Sequence, residues 1–281
     1  MVIVSLPNPQ ETHVLDLKNS FSTYAPISLS GLDEVALMDR REEKFVIPNY
    51  WCSDIASHLD SSYKILEIEG QRSFRYDNLY FDTPDNITLE DHIRGRKCRY
   101  KIRIRSYVSS GLTFLEVKKR NVHGRSVKRR IKRSNDAKWD ASLTEDEILF
   151  LQKHIPFANE LKPTLYSRYN RFTIANIERG ERITFDTSLE FTTISGIQVT
   201  PLFGLSIVEL KQNEIDRRSP LHRAFKSRKD RITPLGRGIR VSKYVIGRLN
   251  SDVSISSRTY LSSLKKLKRA SSIAKAQVAK K

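Results

Sequence analysis

The sequence predicts an α+β protein built on an antiparallel sheet or barrel, with helices inserted between the strands. Three observations carry this. Strand signals recur from residue 38 to residue 212, helical signatures are few, and no linker interrupts residues 37–250. The chain has 281 residues, 38% of them hydrophobic, enough for a sizeable core and too apolar for global disorder.

Residues 1–36 carry turn formers without sustained periodicity and read as a leader that packs on the domain. Alternation, or enrichment in β-branched and aromatic residues, then marks strands near 38–47, 72–82, 98–107, 112–120, 126–133, 164–176, 181–187 and 205–212. A helix is expected after Pro48, with Trp51, Ile55 and Leu59 on one face. A second begins at Thr144, where Thr144 and Glu147 form a capping-box pattern. A third begins at Ser219, with Pro220 at its first position. Gly236 and Gly238 read as a turn.

Beyond residue 250 the composition shifts to Ser, Lys and Ala. Arg258, Lys265, Lys266, Lys268, Arg269, Lys275, Lys280 and Lys281 stand against Asp252 alone. Leu261, Leu264 and Leu267 fall at helical spacing. Residues 251–281 are therefore either a basic amphipathic helix for a membrane or an anionic polymer, or a solubilising disordered tail. The expected division is a leader (1–36), a body (37–250) and a basic tail (251–281).

A formal net charge of +18 implies a polyanionic partner: nucleic acid, an anionic membrane surface or a phosphate-rich compound. Cys52 and Cys98 have no metal-ligand spacing and read as reduced thiols. No run approaches the ~20 apolar residues of a membrane span. The start, MVIVSLPNPQ, lacks the pattern of a secretory signal. The expected location is cytoplasmic, with any membrane contact made peripherally through the tail. His58, His92, His123, His154 and His222 show no paired spacing and are assigned no chemistry.

The most informative stretch is 94–133, where Glu116 is the one acid among the cations. Strand side chains alternate faces, so Lys101, Arg103 and Arg105 line one face and Ile102 and Ile104 the other. Glu116, Lys118 and Arg120 share a face in the next segment, and Lys128, Arg130 and Lys132 in the one after. Arg40, Glu42 and Lys44 belong together, as do Glu209 and Lys211. Such faces are either solvated exteriors or a concave surface that binds a polyanion. Like charges stacked across neighbouring strands repel, which favours the second reading. Isoleucines between the cations of 100–105 argue for an outer face buried under helices and against the interleaved aromatics of a nucleic-acid binder.

The series R-x-E-x-K-F (Arg40, Glu42, Lys44, Phe45), NLYFDT (Asn78–Thr83), KIRIR (Lys101–Arg105) and FLEVKKR…GR…KRR (Phe114–Arg130) resembles the VTC domain of the CYTH, or triphosphate tunnel, superfamily. Tyr166, Arg168 and Arg171, FDTSL (Phe185–Leu189), VELK (Val208–Lys211) and SKY (Ser242–Tyr244) continue the match through about residue 250. The resemblance implies an eight-stranded antiparallel β-barrel forming a tunnel open at both ends, with flanking helices. It also implies an ATP-dependent polyphosphate polymerase using Mn²⁺ or Mg²⁺, with ATP and polyphosphate as partners. Carried over, Lys44, Arg103, Arg105, Lys118, Lys128, Arg130, Arg171 and Lys243 would be phosphate ligands, with Lys44, Arg103, Arg105 and Lys118 on the nucleotide. Glu209 would bind the metal, with Glu116 and Glu42 as further candidates. Arg40 stands where tunnel triphosphatases carry the first glutamate of E-x-E-x-K, which favours synthesis over triphosphate hydrolysis. A triphosphatase and a non-catalytic polyphosphate- or nucleic-acid-binding module are the alternatives. Asp82 and Asp186 are expected as strand-end hydrogen-bonders, and Tyr80, Tyr100 and Tyr244 as packing residues.

Overall fold

The computed structural model describes residues 16–33, 41–59, 61–134, 138–227, 241–252, 254–255 and 258–278. Arg40, Gly236 and Gly238 lie outside the described residues. The strands are β1 (Pro26–Ile27), β2 (Arg41–Pro48), β3 (Lys64–Leu66), β4 (Phe74–Asp82), β5 (Arg99–Tyr107), β6 (Leu112–Arg120), β7 (Ser126–Lys132), β8 (Lys162–Asn176), β9 (Glu181–Thr193), β10 (Gln198–Val199) and β11 (Leu205–Gln212). The helices are α1 (residues 16–20), α2 (Leu29–Asp33), α3 (Tyr50–His58), α4 (Ile87–Arg94), α5 (Glu145–Gln152), α6 (Pro220–Lys226), α7 (Lys243–Ser251) and α8 (Leu261–Val278).

The eight predicted strand segments become one antiparallel path, β2-β11-β9-β8-β4-β5-β6-β7. Strand β9 runs past its predicted end. Ser188 takes a left-handed φ of 52°, and the pairing of β8 with β9 shifts register there. Beyond this irregularity the inward residues are Leu189 and Phe191 instead of even-numbered ones, so the alternation that marks a strand is broken.

The closed barrel expected from the resemblance is not formed by hydrogen bonding. Strands β2 and β7 end the path and do not pair with each other among the described residues. Strand β7 is exposed at almost every position and rich in Lys and Arg, the usual protection of an edge. The sheet is nevertheless strongly curved, because Glu42 and Lys44 on β2 lie within electrostatic reach of Lys118 and Lys101 on β6 and β5.

Helices cover the convex side. One core joins Phe45, Ile47, Phe172, Phe185 and Val208 to Trp51 and Ile55 of α3 and Leu221 of α6, with Leu17 and Phe21 from the N-terminal segment. A second places Leu79, Phe81, Ile102, Ile104, Leu115 and Val117 beneath Leu151 of α5. The outer face of the basic strands is thus buried under a helix, as the isoleucines require. The capping box of α5 is present, with the Glu147 N–H donating to Thr144 Oγ1 at 3.3 Å and the Thr144 N–H to Glu147 Oε2 at 3.0 Å.

The third core lies on the concave side. Val46, Tyr80, Leu165, Leu189, Phe191 and Ile207 are buried beneath Tyr244 and Val245 of α7 and Leu267, Ala270 and Ala274 of α8. The expected tunnel open at both ends is therefore filled at one end by apolar side chains. Helix α7 sits so close that a Cβ at Gly247 would meet Leu165 Cδ2 at 2.4 Å. The Tyr244 hydroxyl donates to Asp82 Oδ2 at 2.6 Å, and Asp82 also accepts the Thr88 and Leu89 N–H groups that open α4. Asp82 is the structural hydrogen-bonder expected.

Of the two readings of the tail, the described part takes the helical one. Its apolar seam keeps two of the predicted leucines, Leu264 and Leu267, and continues through Ala270 and Ala274, while Leu261 is exposed. Ser271 Oγ donates to the Phe203 carbonyl at 2.9 Å. Cys52 is buried and Cys98 exposed, both as free thiols. Among the described residues no helix is long and apolar enough to cross a membrane.

Candidate anion-binding site

Register decides which side chains share the concave face. Lys101, Lys118 and Lys128 stand opposite one another across β5, β6 and β7, as do Arg103, Glu116 and Arg130. On the other side of the sheet Lys44 faces Glu209, Glu42 faces Lys211, and Arg171 faces Asp186. Alternation then puts Arg105 beside these groups. Every sequence-predicted site residue on a strand thus lies on one face, and Lys243 joins them from the first turn of α7.

Three ionic clusters form. In the first, Glu116 accepts two bonds from Arg103, at 2.9 and 2.7 Å on Oε2, meets Lys128, and lies 4.0 Å from Arg105. In the second, Arg171 grips Asp186 with both arms, at 2.6 and 2.8 Å, and Lys243 bonds the same carboxylate. In the third, Lys44 lies 3.5 Å from Glu42 and 3.8 Å from Glu209, whose other oxygen meets Lys211 at 2.9 Å. Arg105 makes its hydrogen bonds to neutral groups, donating to Asn78 Oδ1 at 2.9 Å and Tyr169 Oη at 3.0 Å. Arg130 is set apart. It is exposed and lies 4.5 Å over the Phe114 ring.

The electrostatics follow from burial against pairing. Burial works against the charge of Glu116, yet Arg103, Arg105 and Lys128 hold its carboxyl far below the ordinary range. Burial likewise opposes Asp186, which Arg171 and then Lys243 bring down to about 2. Glu209 raises the Lys44 ammonium above its ordinary value despite burial. Burial lowers Lys211 to about 8, with Glu209 offsetting part of the effect. Burial and Glu209 push Glu42 upward, and Lys44, Lys118 and Lys211 outweigh them.

Among the predicted metal carboxylates, Glu42 and Glu209 fit a divalent cation best. They sense each other's charge and share Lys44, and Thr184 opposite Glu209 has a buried hydroxyl with no hydrogen-bond partner among the described residues. These are hard oxygen donors. Mg²⁺ and Mn²⁺ sites commonly use one or two carboxylates and take remaining ligands from substrate phosphates. The described residues hold no group of three or more carboxylate, His or Cys ligands. Glu116 fits poorly, since it is ringed by three cations, Arg103, Arg105 and Lys128, with no second carboxylate among the groups that weigh on it.

Some residues of the site escaped the sequence reading. Asp186 is no strand-end hydrogen-bonder: it lies mid-strand and organises the second cluster. Tyr169, Asn78 and Tyr76 position or stack on Arg105 and Arg171. Their neutral side chains carry no charge pattern that would mark them. Lys101 was signalled by its alternation with Arg103 and Arg105. Tyr80 and Tyr244 pack as expected, ring to ring at 5.0 Å, and Tyr100 packs edge-on against Phe157 at 5.6 Å.

A family model described as the VTC domain matches residues 39–250. No curated protein matches the chain significantly. Among solved structures, a Hippeastrum adenylyl cyclase candidate with a dominant triphosphatase activity is 14% identical, with a TM-score of 0.43, covering 74% of this chain and 94% of that one. An adenylate cyclase candidate from Vibrio parahaemolyticus is 13% identical, with a TM-score of 0.38, covering 64% of this chain and 78% of its own.

Proposed function

Because this chain belongs to the VTC domain family, we propose that its concave face is a phosphoryl-transfer site for linear phosphate chains, working as a polyphosphate polymerase. In this reading an oxygen of the chain end attacks the γ-phosphorus of ATP. The bond between γ-phosphorus and the β–γ bridging oxygen breaks, the chain gains one phosphate, and ADP leaves.

The observation that supports it is the convergence of Lys44, Arg103, Arg105, Lys118, Lys128, Arg171 and Lys243 on one curved face, from five strands and one helix. Phosphoryl transfer needs alignment and neutralisation of charge more than covalent assistance. Arg103 and Arg171 present planar forks that suit phosphate oxygens, and Glu116 and Asp186 fix their orientation. The carboxylates also keep the face from being purely repulsive before an anion arrives. Lys44 and Lys118 supply compact charge opposite them. Glu209 and Glu42 would hold Mn²⁺ or Mg²⁺, which would supply further neutralisation of phosphate charge when bound.

Purified protein given ATP and Mn²⁺ is expected to accumulate ADP and long-chain polyphosphate together. Absence of both would overturn the polymerase reading. A second reading, hydrolysis of a short phosphate chain, draws support from α7, which packs against the apolar end of the concave face and sets Lys243 on Asp186. Tripolyphosphate as sole substrate separates the two. Rapid release of phosphate, with no polymer formed from ATP, would establish hydrolysis.

A further inference from the structure

The lysines of the concave face differ in what they touch. Lys44 meets Glu42 and Glu209, Lys128 meets Glu116, Lys211 meets Glu209, and Lys243 meets Asp186. Lys101 differs from these four. Among the described residues its Nζ meets no carboxylate, and its hydrogen bond goes to the neutral hydroxyl of Ser242, at 3.2 Å. Ser242 is the N-cap of α7, its hydroxyl accepting from the Val245 N–H at 3.5 Å. The charged groups that weigh on Lys101 are Lys44 of β2, Arg103 of its own strand, Lys118 of β6 and Lys243 of α7. On the α4 side stands His92, which burial and then Lys101 push down to about 3, so it is neutral.

We propose that Lys101 is a further phosphate-binding residue, which receives the anion reaching the N-terminus of α7 and couples this binding to the uptake of one proton. This rests on the reading of the concave face as a phosphate site. With no anion bound, burial and the surrounding cations disfavour the ammonium form and hold Lys101 well below the ordinary lysine value. The positive end of α7 adds to the same effect. A phosphate placed between Lys101, Lys243 and Ser242 reverses the balance, because its charge outweighs the repulsion. The amine then gains a proton from solvent, and the new ammonium donates to the phosphate. The apolar plug behind α7 makes this the blind end of the face.

The test is calorimetric titration of the full chain with tripolyphosphate, metal-free, in two buffers of different ionisation enthalpy between about pH 7 and pH 9. Wild type, Lys101→Arg and Lys101→Met are compared, since protons exchanged by the ligand itself are common to all three. Wild type should take up more protons than either variant, by no more than about one. Within that window its affinity should fall by up to about tenfold per pH unit, the slope of one linked proton. Lys101→Arg should bind with little added pH dependence, and Lys101→Met more weakly at the lower pH. Equal proton exchange in wild type and both variants would overturn the proposal while leaving the phosphate site standing. If wild type does not bind tripolyphosphate, the underlying phosphate reading fails, and this proposal with it.

Discussion

Arg171 of β8 and Asp186 of β9 meet fork to fork at 2.6 and 2.8 Å, and Asp186 is completely buried. The same carboxylate takes Lys243 from α7. One acid therefore aims two cations at the concave face and ties the covering helix to the wall. Asp186→Asn should cost about 3–5 kcal/mol in chemical denaturation, because it leaves two largely buried cations uncompensated. A loss below ~1 kcal/mol would show that the pair does not hold the site together.

The pH dependence of stability has a definite sign here. Asp186 titrates at about 2 in the fold against an ordinary 3.8. Its contribution is present above 3.8 and is lost as the pH falls toward the folded value. Wild type should thus lose about 2 kcal/mol through this window that Asp186→Asn does not lose. Parallel acid-denaturation curves for the two proteins would refute this.

Glu209→Gln should raise the Mn²⁺ concentration needed for half-maximal turnover by roughly 10-fold or more, with the fold retained. Glu116→Gln should leave that metal dependence nearly unchanged and lower stability, because Arg103 and Lys128 lose their shared partner. Equal metal dependence in both variants would place the cation elsewhere.

Removal of a phosphate-facing cation should depend on what that cation holds up. Lys118→Ala should lower kcat/KM by about 10²-fold, in the range of lost transition-state stabilisers. Arg103→Ala should lower activity and melting temperature together, since Glu116 is 2% exposed and would keep only part of its compensation. An Arg103→Ala protein as stable as wild type would show that the first cluster is structurally dispensable.

Helix α7 offers a steric test remote from the charges. Gly247→Ala would set a Cβ at 2.4 Å from Leu165 and 2.6 Å from Phe191. Overpacking of this kind costs about 1–3 kcal/mol, and displacement of α7 should also lower activity by moving Lys243. Unchanged stability would mean that α7 can leave the concave face freely.

The tail gives a further test. Leu267→Asp should destabilise the protein by several kcal/mol, since Leu267 is 2% exposed against the concave-side core and a carboxylate there would be buried unpaired. No effect would restore the reading of residues 251–281 as a tail independent of the body.

What the sequence by itself determined is local and periodic. Alternation located most of the main strands because they have one greasy face, as with Ile102 and Ile104 against Lys101, Arg103 and Arg105. The caps at Thr144 and Ser219 were legible because their hydrogen bonds lie within four residues. The shared face of the cations followed from the two-residue repeat alone. Only the tertiary structure decided how these faces meet. Strand register set Glu116 between Arg103 and Arg130, and sheet curvature brought β2 within reach of β5 and β6. That Asp186 serves Arg171 and Lys243, that α7 fills one end of the concave face, and that the path stops at β2 and β7 all depend on contacts between distant residues. Such contacts leave no periodic trace in a single chain, because their energy depends on partners far away in sequence.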